Sequence, residues 1–102
     1  MAGDTAGQQS ANDPVRLSAW VHGYVQGVGF RWWTRSRALE LGLTGHATNA
    51  PDGRVHVVAE GPRRVVAELL ALLRSPAAPG RVDLVVENWE PVRGGLQGFV
   101  ER

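Results

Sequence analysis

At 102 residues, 43% of them hydrophobic, the chain holds one domain with enough apolar matter for one core, and a formal net charge of +1 makes no bulk electrostatic case for nucleic acid. The absence of cysteine excludes disulfides, thiolate zinc sites and cysteine nucleophiles, and the absence of lysine, with all eleven basic residues arginine, excludes Schiff-base and P-loop lysine chemistry. No apolar run approaches the ~20 residues of a membrane span.

Residues 1–13 are small and polar, which predicts a disordered tail. They lack the basic start and apolar centre of a signal peptide, so a cytoplasmic location is expected, with the domain over residues 14–102. Leu17, Ala19, Val21 and, past Gly23, Val25 alternate with period two, predicting a strand over residues 16–25. Trp20 falls on its opposite face, under a helix or at the rim. Residues 30–41 read as a helix through Phe30, Trp33, Ala38 and Leu41, with Gly42 as the stop. The adjacent Trp32 and Trp33 cannot both face the core, and Trp32 is expected to cover the sheet edge.

A second strand follows over residues 43–49. Ala50, Pro51, Asp52 and Gly53 then form a turn, and Val55, Val57 and Ala59 alternate along a third strand to complete a hairpin. Pro62 suits the first position of a second helix, whose apolar stripe is Val65, Val66, Leu69, Leu70, Leu72 and Leu73. Residues 75–80 break it. A fourth strand is predicted over residues 82–86, a Gly- and Pro-bearing connection over 89–98, and a short terminal strand over 99–102. The order β-α-β-β-α-β is the split βαβ, or ferredoxin-like, α+β arrangement. Its antiparallel sheet has the order 4-1-3-2 with two helices on one face.

This topology places the ends of strands one and two at the same end of the sheet. The stretch Tyr24, Val25, Gln26, Gly27, Val28, Gly29, Phe30 follows strand one, Arg31 opens the helix, and Asn49 closes strand two. A glycine-rich loop between a strand and a helix start can turn its N–H groups inward to hold an anion, and an arginine beside it can grip two phosphate oxygens. The spacing fits neither the Walker nor the dinucleotide pattern. From spacing alone, a tight strand-to-helix turn with a surface arginine is an equal reading, and Asn49 before a turn has a purely local explanation. His22 abuts the loop, whereas His46 and His56 sit on strands; no two show tight metal-ligand spacing. Strand three carries no ring for stacking bases, which speaks against RNA binding on the sheet face.

Val21-His22-Gly23-Tyr24-Val25-Gln26-Gly27-Val28-Gly29-Phe30-Arg31 resembles the first signature of the acylphosphatase family at every fixed position. Gly45-His46-Ala47-Thr48-Asn49, followed by Gly53-Arg54-Val55 and Gly61, resembles the second. It departs at His46, where an aromatic is usual, and at Thr48, where a basic residue is common. The resemblance covers residues 15–102. It implies hydrolysis of acyl phosphates to a carboxylate and inorganic phosphate, with no metal and no cofactor. By the same resemblance Arg31 is the phosphate-binding arginine, Asn49 holds the attacking water, and the loop amides from Tyr24 to Phe30 cradle the phosphate. A small-molecule acyl phosphate is the expected partner, with inorganic phosphate or sulfate as a product-like ligand. No nucleic acid or membrane partner is expected, and a monomer is the default. The alternative is a non-catalytic module handling an anion or carbamoyl phosphate for a partner.

Overall fold

A computed structural model describes residues 10–102. The elements are β1 (Pro14–Tyr24), α1 (Phe30–Glu40), β2 (Thr44–Asn49), β3 (Val55–Pro62), α2 (Arg63–Leu73), β4 (Arg81–Glu90) and β5 (Phe99–Glu101). They form one sheet of order β4-β1-β3-β2-β5. The predicted order 4-1-3-2 is therefore present, with the terminal strand added beside β2. The sheet is not wholly antiparallel, because β5 runs parallel to β2, with Gly45 opposite Phe99 and Ala47 opposite Glu101. Topology is the cause. β4 descends antiparallel to β1 and ends where β2 begins, so the next strand has to rise again beside β2. Its far end thereby reaches the same end of the sheet as Tyr24 and Asn49.

Alternation along β1 buries Val15, Leu17, Ala19 and Val21 almost completely. Together with Val57 and Ala59 of β3 they pack against Phe30, Trp33 and Ala38 of α1 and Val66, Leu69 and Leu73 of α2. Both helices lie on this face. The other face is open, and Trp20 is on it, neither under a helix nor at the rim, since it alternates with Ala19 and Val21. Its ring stacks on His56 at 4.1 Å and 8°, and the Arg54 guanidinium lies 4.1 Å over it.

The connection after β4 is held at the foot of the sheet by Glu60, which is only 5% exposed. Its carboxylate accepts from Arg16 Nη1 at 3.0 Å and from the main-chain N–H groups of Arg93 and Gly94 at 2.9 and 3.2 Å. β4 outruns its predicted range because residues up to Glu90 pair with β1; Leu17 faces Trp89 and Arg16 faces Glu90.

Of the expected tail, residues 1–9 lie outside the described residues. Residues 10–13 form a turn whose carbonyls serve α2: Arg64 N–H donates to Ala11 at 2.8 Å and Arg63 N–H to Asp13 at 2.9 Å. Pro62 is the N-cap of α2, not its first helical residue, and supplies no side-chain cap. The carbonyls of Ala11 and Asp13 instead take N–H groups that a helix start leaves unpaired.

Candidate active site

The loop between β1 and α1 is pinned at both ends. Val25 and Phe30 are buried in the core, and Val28 packs against it between them. Gly27 and Gly29 take φ of 76° and 83°. A Cβ at either would meet nothing within 4 Å, so what glycine provides here is backbone freedom, not room. Gly29 is the N-cap of α1, and its carbonyl accepts the Trp33 N–H at 2.9 Å. It brings no side-chain cap, and the first turn of α1 holds no acidic residue. The leading N–H groups of the helix, with the positive end of its dipole, are thus left for an anion.

These groups surround a depression of about 80 Å³ lined by Val25, Gly27, Gly29, Phe30, Arg31, Trp32 and Glu101. Pockets for drug-sized ligands are ~300–1,000 Å³, so this one suits a small group. Larger depressions surround Arg74, but its guanidinium is tied to the Val85 carbonyl at 3.0 Å and the Glu87 carboxylate at 2.8 Å.

Arg31 and Asn49 meet through β5. Arg31 Nη1 donates to the main-chain oxygen of Arg102, and the Asn49 N–H donates to the same oxygen at 3.3 Å. The Arg102 N–H in turn donates to Ala47 O at 2.8 Å. One turn along α1, Arg35 Nε donates to Phe99 O at 3.0 Å, so two arginines of one helix face hold β5. Asn49 Oδ1 is buried and accepts no hydrogen bond among the described residues.

Not every expected loop residue lines the depression. Tyr24 is exposed at the end of β1, and Val28 turns toward the core. Gln26 points its side chain away from the depression: Nε2 donates to Ala50 O at 2.7 Å and Arg54 O at 2.9 Å, binding the loop to the β2–β3 turn. That clamp and the Arg35 contact have no signal in the sequence; the short terminal strand does, but its parallel pairing beside β2 does not. A three-residue strand carries too little periodicity to show which neighbour it joins or in which direction, and a glutamine among glycines gives no hint of where its amide goes. Trp32 is 61% exposed at the rim of the depression and does not cover the sheet edge, because α1 turns only Trp33 inward.

The histidines occupy the open face, apart from the loop. His22 faces Leu84 of β4. His56 Nε2 lies 2.8 Å from Ser18 Oγ, and His46 stands edge-on to His56 at 6.2 Å. Burial, helped by nearby arginines, holds both His46 and His56 below the ordinary imidazole value. Among the described residues no three His, Asp or Glu side chains cluster as metal ligands would.

The sequence pattern of the acylphosphatase family matches residues 17–100. An acylphosphatase of Nocardia farcinica is 77% identical over 92 residues, covering 90% of this chain and 92% of its own. Among solved structures, an acylphosphatase from Coxiella burnetii superposes with a TM-score of 0.77 at 36% identity, covering 93% of this chain and 98% of the other. The acylphosphatase from Bacillus subtilis gives 0.78 at 29% identity, covering 86% and 98%.

Proposed function

The chain belongs to the acylphosphatase family, and we propose that it hydrolyses acyl phosphates by in-line attack of a water held at Asn49 on a phosphoryl group bound by Arg31 and the loop amides. The observation that carries this reading is the common anchor of Arg31 and Asn49 on Arg102 O, beside a helix start whose N–H groups are open.

The chemistry asks for little more. The bond broken joins phosphorus to the acyl oxygen, and its electron pair leaves on a carboxylate. That leaving group departs at neutral pH without a proton, so a general acid is dispensable. Two tasks remain, placing water in line and stabilising charge on the phosphoryl oxygens. Fixed amides and a guanidinium suit the second task, because they are already oriented when the charge develops. Among the described residues Arg31 donates to Arg102 O, and the other donors of its five-donor fork can serve an anion. The side-chain amide of Asn49 suits the first task, since an amide can hold a water by hydrogen bonds. An amide takes no proton, and the phosphoryl oxygens beside the attacking water are the nearest bases.

A metal is dispensable on this reading, because the guanidinium and the helix start supply the positive charge. The protein acts as a cytoplasmic monomer on a small-molecule substrate, with inorganic phosphate or sulfate as a product-like ligand. No helix among the described residues is long and apolar enough to cross a membrane. The test is hydrolysis of benzoyl phosphate by the parent and by Arg31→Ala. Turnover that collapses in the variant supports the reading. Equal turnover in both removes Arg31 from the mechanism.

A further inference from the structure

On the hydrolase reading a phosphoryl group would occupy the depression of about 80 Å³, which leaves the acyl group to lie across its rim. Backbone, glycine and the buried Val25 and Phe30 make most of the wall. Two exposed side chains stand on the rim, Trp32 from the first turn of α1 and Glu101 from β5. Trp32 packs on no other ring among the described residues and is 61% exposed, while its neighbour Trp33 is buried in the core. A large apolar ring left in water does not serve stability. Placed next to Arg31, it offers a flat apolar surface to whatever group the phosphate carries. Glu101 puts a carboxylate at the mouth of a site built for an anion. It does not help to hold phosphate. It repels any further negative charge that the substrate brings beside it.

Resting on the hydrolase reading above, we infer that Trp32 and Glu101 select the acyl group, favouring uncharged aromatic acyl phosphates and rejecting acyl groups that carry a second anionic charge. Trp32 acts by stacking on the acyl ring. Glu101 acts by charge, so its effect is sensitive to salt.

The experiment compares kcat/KM for benzoyl, acetyl and succinyl phosphate in the parent, Trp32→Ala, Trp32→Phe and Glu101→Gln. Both positions are exposed, so the variants fold. The parent is expected to prefer benzoyl over acetyl phosphate and to use succinyl phosphate least. Trp32→Ala lowers the benzoyl-to-acetyl ratio about tenfold, and Trp32→Phe restores most of it. Glu101→Gln raises the succinyl-to-acetyl ratio about threefold at low salt, and the gain fades in concentrated salt. Turnover of all three substrates with ratios that no variant changes overturns this inference and leaves the hydrolase reading standing. No turnover of any of them by the parent overturns both.

Discussion

Arg31 and Asn49 donate to a single oxygen, the main-chain oxygen of Arg102. One residue opens a helix and the other closes a strand, and neither touches the other's element in sequence. A third element, β5, brings the shared acceptor to them. On the proposed mechanism the phosphate ligand and the water holder are therefore positioned by the same main-chain oxygen.

Replacing Arg31 with alanine is expected to lower kcat/KM for benzoyl phosphate by about 10³–10⁵-fold, the range seen for arginines that stabilise transferring phosphoryl groups. The lost hydrogen bond to Arg102 costs about 1 kcal/mol of stability, so the variant stays folded. Arg31→Lys does not rescue it, because a compact ammonium lacks the planar fork needed to hold Arg102 O and an anion together. Activity and thermal melting of the two variants check this; turnover within tenfold of the parent in either contradicts it.

Gln26→Ala separates the loop from the β2–β3 turn by deleting two hydrogen bonds, at 2.7 and 2.9 Å. A cost of about 1–3 kcal/mol is expected from leaving the Ala50 and Arg54 carbonyls short of a donor. The loop amides lose their fixed orientation, so inorganic phosphate should raise the melting temperature less than in the parent. An undiminished phosphate effect would show that the clamp does not order the cradle.

Much of this was legible in the sequence. Alternation in β1 and β3 and the apolar stripe of α2 specify the layers because burial follows those periods directly. The glycines around Gln26 and the distant Asn49 mark the site once the topology places two strand ends together. What escaped was everything that depends on where a polar side chain finds its partner. Gln26 is clamped to carbonyls across the turn, Arg35 reaches Phe99, and Trp20 is covered by His56 and Arg54 on the open face. No local pattern encodes such pairings, since each partner belongs to another element. Pro62 misled for a related reason: the acceptors for the start of α2 come from Ala11 and Asp13, in a stretch whose composition reads as unstructured.

Glu60 anchors the connection to β5 from the end of the sheet remote from the loop. Glu60→Ala is expected to cost about 3–5 kcal/mol, because Arg16 is left with its charge half-buried and its closest partner gone. The kcat of the folded fraction should be unchanged. Burial acts to raise the Glu60 pKa, but the N–H groups of Arg93 and Gly94 and the Arg16 side chain outweigh it and hold the group below the ordinary carboxylate value. Its contribution is therefore present above the unfolded value of about 4.3 and is lost as pH falls through the folded one. Denaturation at pH 7 and pH 3 should show the parent and the alanine variant converging in acid.

His46 and His56 set a second window. Burial first, and then nearby positive charge, keeps both neutral in the folded protein below the ordinary value of about 6.5. Acidified below that value, the unfolded chain takes up protons that the folded state refuses, so stability falls from about pH 6.5 downward and is complete above it. Replacing both histidines with asparagine should flatten the change in unfolding free energy between pH 7.5 and 5. A parent whose stability is level over that range would contradict the assignment.

The most direct test of the proposed chemistry is release of benzoate from benzoyl phosphate, with a metal chelator present, by the parent and by Asn49→Ala, alongside inhibition of each by inorganic phosphate. Fast turnover by the parent is expected. In the variant, kcat should fall by about 10²-fold or more, as when a group acting only in the transition state is removed, while phosphate inhibits it as strongly as before. A parent that binds phosphate yet releases no benzoate, or a variant that loses phosphate affinity and keeps its kcat, would contradict the account.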